Sequence, residues 1–207
     1  MTTQQENTKR IAKNTLMLYV RMLFGMLISL YTSRVVLQAL GVEDYGIYNV
    51  VGGVVAMFSL LSGSLSAAVS RFLTFELGRK DLERLKKVFS SALCVHAILA
   101  LVVFVLSETI GLWFLNYKMN IPADRMVAAN WVFQFSLFSF LLGLFSVPYN
   151  ASIISHERMG IFAFVGIGDT ILQLCIVLLI AYGGINADRL ILYSGLLAVS
   201  YTHLRAH

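Results

Sequence analysis

The residues best suited to chemistry lie where a soluble reading would least expect them, inside long apolar runs. Asn14, Arg21, Gly25 and Thr32 fall within about 40° of arc at 100° per residue, with Ser29 beside them and Leu18 and Ile28 at the borders. A guanidinium near the centre of a membrane helix costs roughly 2.5–3.5 kcal/mol on insertion scales, so Arg21 calls for water, an anion or a carboxylate to face. Its planar fork suits phosphate oxygens. The stripe therefore reads as the lining of a water-filled cavity. The competing reading is interhelical packing, which small and polar residues supply without any ligand.

Asp169 is the deepest acid, with Gln173 one turn on. Desolvation would favour the neutral form of an unpaired carboxyl at that depth. Three roles stay open for it: a partner for Arg21, a protonation site coupled to transport, or a neutral interhelical hydrogen bond. Asn130 and Gln134 are one turn apart and are candidates for the same cavity. Arg34 and Arg71 lie near helix ends and read as snorkelling or capping residues, and Glu108 reads as interfacial. Asn49, Gly53, Ala56, Gly63 and Ala67 form a small-residue stripe read as close helix packing.

These residues need long helices to carry them. The chain is 58% hydrophobic and only 13% charged over 207 residues, with a mean hydropathy of +0.77. That excludes an ordinary soluble domain. Two prolines, and the want of ten-residue alternating segments, favour helices over a barrel. Spans are expected at about 15–40, 46–72, 88–115, 127–154 and 160–182, each longer than the roughly 20 residues a crossing takes. A sixth begins near 187 and stops at 199.

Residues 1–14 read as a cytoplasmic lead rather than a secretory signal. Residues 200–207, SYTHLRAH, are too polar to complete a crossing and read as a non-native, read-through-like tail. The charged stretch ELGRKDLERLKK, Glu76 to Lys87, suits a helical extension. One side would hold Lys9, Arg10, Lys13, Arg71, Arg79, Lys80, Arg84, Lys86, Lys87 and Arg158, against Lys118, Arg125 and Arg189 on the other. That bias predicts a cytoplasmic N-terminus and accounts for the net charge of +5 without nucleic acid.

Cys94 and Cys175 fall inside spans and read as small apolar residues, neither a disulfide nor a metal site. The histidines are scattered, and Asn150-Ala151-Ser152 matches a glycosylation sequon only by chance. No phosphate-binding loop, metal motif or catalytic set is present, so no enzyme, cofactor or metal is expected.

Several runs resemble a known family. RVVLQALGVEDYGIYNVVGG (34–53) and SRFLTFELGRKD (70–81) resemble the first two helices of oligosaccharide flippases. These belong to the multidrug/oligosaccharidyl-lipid/polysaccharide exporter superfamily. ETIGLWFLNYKMNIPADRMVAANWVFQFS (108–136) and VPYNASIISHERMGIFA (147–163) resemble the third to fifth helices of Bacteroidetes-type polysaccharide exporters. The resemblance implies an all-α integral membrane fold: the N-terminal six-helix lobe of a two-lobed transporter, truncated in its sixth helix. It further implies flipping of an undecaprenyl-diphosphate-linked O-antigen, capsule or exopolysaccharide repeat across a bacterial inner membrane by alternating access. Partners would be the lipid-linked glycan, membrane lipid, and polysaccharide polymerase and chain-length proteins. A cation-coupled drug exporter of the same superfamily and a non-transporting scaffold subunit are the alternatives.

Overall fold

The computed structural model describes residues 2–156, 159–183 and 188–205, all of the regular elements being helical. They are α1 (Thr2–Ala56), α2 (Ser59–Arg79), α3 (Leu82–Leu106), a π-helical turn (Ser107–Gly111), α4 (Leu112–Tyr117), α5 (Met126–Ser155), α6 (Met159–Tyr182) and α7 (Arg189–Arg205). Among the described residues, four stretches are long and apolar enough to cross a membrane: Ile11–Ala56, Leu82–Tyr117, Met126–Ser155 and Ala163–Tyr182. Arg189–Ser200 is a shorter apolar helix. Glu157, Arg158, Gly184 and Ala187, on which two of the expected turns fall, lie outside the described residues, as do residues 206 and 207.

The first of these stretches is 46 residues long, about twice what one crossing needs. It is broken at Gly41, whose φ of 83° and ψ of 170° lie outside the helical region. Only glycine adopts such a pair without steric cost. Helix contacts give the direction of each arm. A Cβ at Gly160 would meet Met17, one at Gly166 would meet Arg21, and one at Gly25 would meet Thr170. Residue numbers rise together, so the first arm of α1 (2–40) runs parallel to α6. At its far end the Ala39 carbonyl accepts a hydrogen bond from Arg189, at the start of α7.

The second arm (42–56) starts at that same end. Asp44 and Asp188 share Arg125 there, and one turn further the Tyr48 and Tyr193 rings meet at 4.9 Å. The second arm, α5 and α7 thus run side by side in one direction, opposite to the first arm. The chain reverses at Gly41, as the expected boundary between the spans at 15–40 and 46–72 requires.

The second of those expected spans is not one continuous helix. It breaks at Met57-Phe58, where the Met57 amide bonds to the Gly53 carbonyl and the Phe58 amide to Val55. The expected span at 88–115 extends further at both ends, from Leu82 to Tyr117, through the π-helical turn. α7 continues to Arg205, past the end expected at 199.

α5 is the central helix and touches every other one. Its buried side chains Ala129, Val132, Phe133 and Leu137 meet Val51 and Val55 of α1, Val103 of α3, Leu115 of α4 and Leu190 of α7. A second cluster joins Val35 and Val36 to Val177, Ile180, Tyr193 and Leu197. In lipid such contacts hold through close packing rather than through exclusion of water, which is why glycine and alanine recur at the seams. Large apolar side chains point outward from nearly every helix, as a lipid-facing surface would.

Candidate functional site: a neutral polar cleft beneath an ionic clasp

A cleft of about 650 Å³ opens between the second arm of α1, the start of α2, and helices α5, α6 and α7. α1 contributes Tyr48, Asn49, Gly52, Gly53 and Ala56; α2 contributes Ser59 and Ser62. From α5 come Ser136, Ser139, Gly143 and Asn150, spaced by one or two turns along one face. α6 adds Gln173, α7 adds Ser194, and Phe135, Phe140 and Leu197 complete the walls. Among the described residues lining it, none is charged.

Part of this polar lining is hydrogen-bonded within its own helices. The Ser139 hydroxyl donates to the Phe135 carbonyl at 2.8 Å, and the Ser194 hydroxyl to Leu190 and Ile191 at 3.0 and 2.9 Å. The Asn49 amide donates to the Tyr45 carbonyl at 2.7 Å. These two hydroxyls and one amide hydrogen are engaged on their own helices, which leaves their oxygens as acceptors, while Ser59, Ser62, Ser136 and Asn150 add further hydroxyl and amide groups to the lining. A lining of hydroxyls and amides suits a neutral guest rich in hydroxyl groups, with aromatic walls for its apolar faces.

One turn beyond Tyr48, outside the lining of the cleft, a set of ion pairs joins the helix ends. Arg125, the residue preceding α5, reaches Asp44 at 2.8 Å and Asp188 at 3.2 Å. The Asp44 side chain is only 7% exposed, whereas Arg125 and Asp188 are about one-third exposed. Asp188 also accepts from the Leu190 amide at 3.0 Å, which caps α7. Asp44 lies in the first turn of the second arm of α1, ahead of the crossing expected to begin at residue 46. Burial pushes its carboxyl up from the ordinary value of 3.8, against the pull of Arg125.

The residues singled out from sequence lie elsewhere. Arg21 lies against Gly166 in the seam between the first arm of α1 and α6, and any Cβ at position 166 would overlap its guanidinium. Gly25 faces Thr170 of the same seam. Asn14 is half-buried on the same stripe, and Thr32 is buried, its hydroxyl without a hydrogen-bond partner. Both Arg21 and Asp169 make polar or electrostatic interactions, and Asp169 is three residues from Gly166. Asn130 exchanges hydrogen bonds with Asn116 of α4 at 3.2 and 3.3 Å, and Gln134 is half-buried further along α5.

The structure thus brings Arg21 and Gly25 together on α6, and Asn130 to α4. The cleft is lined by a different set. Asn49, Gly53 and Ala56, read from sequence as a packing stripe, border open space instead. Ser136, Ser139, Gly143 and Asn150 carried a signal that was available, small or polar residues recurring along one face of an apolar helix. Arg34 and Arg71 are exposed, and Cys94 and Cys175 are free thiols on exposed positions.

Fold and cleft together define a class: a helical protein of membrane-spanning length, broken within two of its expected crossings or at their ends, with a polar cavity among its helices. No family model, curated protein or solved structure matches the chain.

Proposed function

We propose that the chain is the N-terminal six-helix lobe of a two-lobed exporter that moves a lipid-linked oligosaccharide across a bacterial inner membrane, N-terminus cytoplasmic, by alternating access. One observation carries the reading: among the described residues the cleft lining is uncharged, yet it combines hydroxyl and amide groups with the aromatic walls of Tyr48, Phe135 and Phe140. Sugar hydroxyls need such partners when they leave water, because an unpaired buried hydroxyl is costly. The sequence resemblance to oligosaccharide flippases points the same way. No covalent chemistry is required, and polymerase and chain-length proteins would take up the product.

In this reading Arg21 acts at the seam rather than in the cleft. Asp169, three residues from the Gly166 that Arg21 meets, is the candidate acid partner for it along this seam. The cation-exporter alternative needs a carboxylate to receive its substrate, and the cleft lining supplies none among the described residues. The scaffold alternative leaves a polar cavity in lipid with no purpose.

The test is complementation. The full-length parent is expressed in a host lacking its own flippase, and surface polysaccharide is measured alongside resistance to toxic cations. Restored polysaccharide supports the proposal. Cation resistance without polysaccharide supports the drug exporter, and neither, with the protein present in the membrane, supports the scaffold.

A further inference from the structure

The hairpin joining α2 to α3 is the most charged part of the molecule. From Arg71 to Lys87 it carries six cations (Arg71, Arg79, Lys80, Arg84, Lys86 and Lys87) against three acids (Glu76, Asp81 and Glu83). All six cations are exposed. Two are held by neighbouring acids, Arg84 by Asp81 at 3.3 Å and Lys86 by Glu83 at 3.6 Å. Arg79 lies 5.6 Å above the Phe75 ring.

Helix length places this tip. Leu82–Tyr117 runs for 36 residues, ending at Trp113, Tyr117 and Lys118, where Lys118 sits 5.6 Å over the Trp113 ring. Such a group marks one membrane interface. Crossing the hydrocarbon takes about 20 residues, so the opposite interface falls near residue 93. Lys87 then projects roughly 9 Å beyond it at 1.5 Å per residue, among the headgroups. Phe72, Phe75 and Leu82, 58–66% exposed, flank the cations as apolar side chains at an interface do.

A second, independent feature is Lys80. It caps α2 in the left-handed conformation, φ 58°, and is the one described non-glycine residue with positive φ. Glycine would take that position without steric cost. A lysine kept there presents its charge at the apex of the hairpin.

We propose that the α2–α3 hairpin is a docking surface for anionic phospholipid headgroups, with Lys80 and Lys87 as the principal phosphate contacts. Positive charge near a membrane end also directs insertion, but insertion asks only for charge, not for a strained lysine flanked by exposed aromatics. The attraction requires negative lipid and weakens with salt.

The test uses the purified chain in nanodiscs, which expose both faces and so remove any dependence on orientation. Thermal stability is measured as phosphatidylglycerol replaces phosphatidylcholine, for the unaltered protein, for Lys80→Gly with Lys87→Gln, and for Lys118→Gln. The glycine relieves the backbone, so the double variant should keep its stability in phosphatidylcholine alone. The expected result is a stability gain with phosphatidylglycerol that the double variant reduces at least about twofold and Lys118→Gln leaves intact. An equal gain in all three proteins would overturn the proposal. So would a loss in Lys118→Gln about half that of the double variant, which removes two charges to its one; net charge, not this hairpin, would then set the response.

Discussion

Arg125 holds Asp44 at 2.8 Å while reaching Asp188 at 3.2 Å, so one guanidinium ties the turn of α1 to the starts of α5 and α7. The three helices that begin at this clasp form three walls of the cleft below it. Their separation at that end is fixed by a pairing in which the acid is buried and the base is not. The two partners should therefore respond unequally to substitution.

Arg125→Ala leaves the Asp44 carboxylate buried without its counter-charge. Removing one partner of a fully buried pair costs roughly 3–5 kcal/mol, and the exposure of Arg125 reduces that here. A clear fall in melting temperature in detergent is expected. Asp44→Asn should be much milder, because it also removes the buried charge, and Asp44→Asn with Arg125→Ala should recover most of the loss. Equal damage from both single changes would show that the pairing, not the burial of Asp44, governs this end.

The same burial gives stability a pH dependence with a defined sign. The folded-state pKa of Asp44 is raised above 3.8, so the folded protein holds this proton more tightly than the unfolded chain. Its contribution is fully present below 3.8 and is lost as pH rises through the raised value. Subtracting the melting curve of Asp44→Asn from that of the unaltered protein, point by point from pH 4 to 7, should give a difference that moves against the unaltered protein as pH rises. A difference that is flat, or of opposite slope, contradicts the assignment.

Gly166 and Arg21 should be coupled. A methyl group at position 166 would occupy the place of the guanidinium. Overpacking of this kind costs typically about 1–3 kcal/mol. Gly166→Ala should destabilise the protein alone but cost much less when Arg21→Ala has already cleared the space. A double-mutant cycle in a thermal assay measures this, and strict additivity would place Arg21 elsewhere.

The all-helical character and the membrane-spanning length of the apolar runs were legible because such runs have few alternatives, and Gly41 marks the reversal through its chemistry. The cleft was less legible. Periodicity shows that Asn14, Arg21, Gly25 and Thr32 share a face, but not which neighbour that face meets. Here it is α6, whose glycines accept the arginine. Asn49, Gly53 and Ala56 carry the opposite ambiguity, since small side chains serve both a tight seam and an open cavity. The break at Met57-Phe58 has no proline or glycine to announce it. The clasp depends on residues 81 and 63 positions apart in sequence, and such separations leave no local trace.

The most direct test of the account is glycan export by the full-length parent carrying Asn150→Leu with Ser139→Ala, two cleft positions outside both the core and the clasp. Each change removes a polar group without adding a heavy atom to the side chain. If sugar hydroxyls bind there, the loss of two neutral hydrogen bonds, about 1 kcal/mol each, predicts export lowered roughly tenfold or more at normal membrane abundance. Unchanged export at normal abundance would contradict the cleft as the path of the substrate.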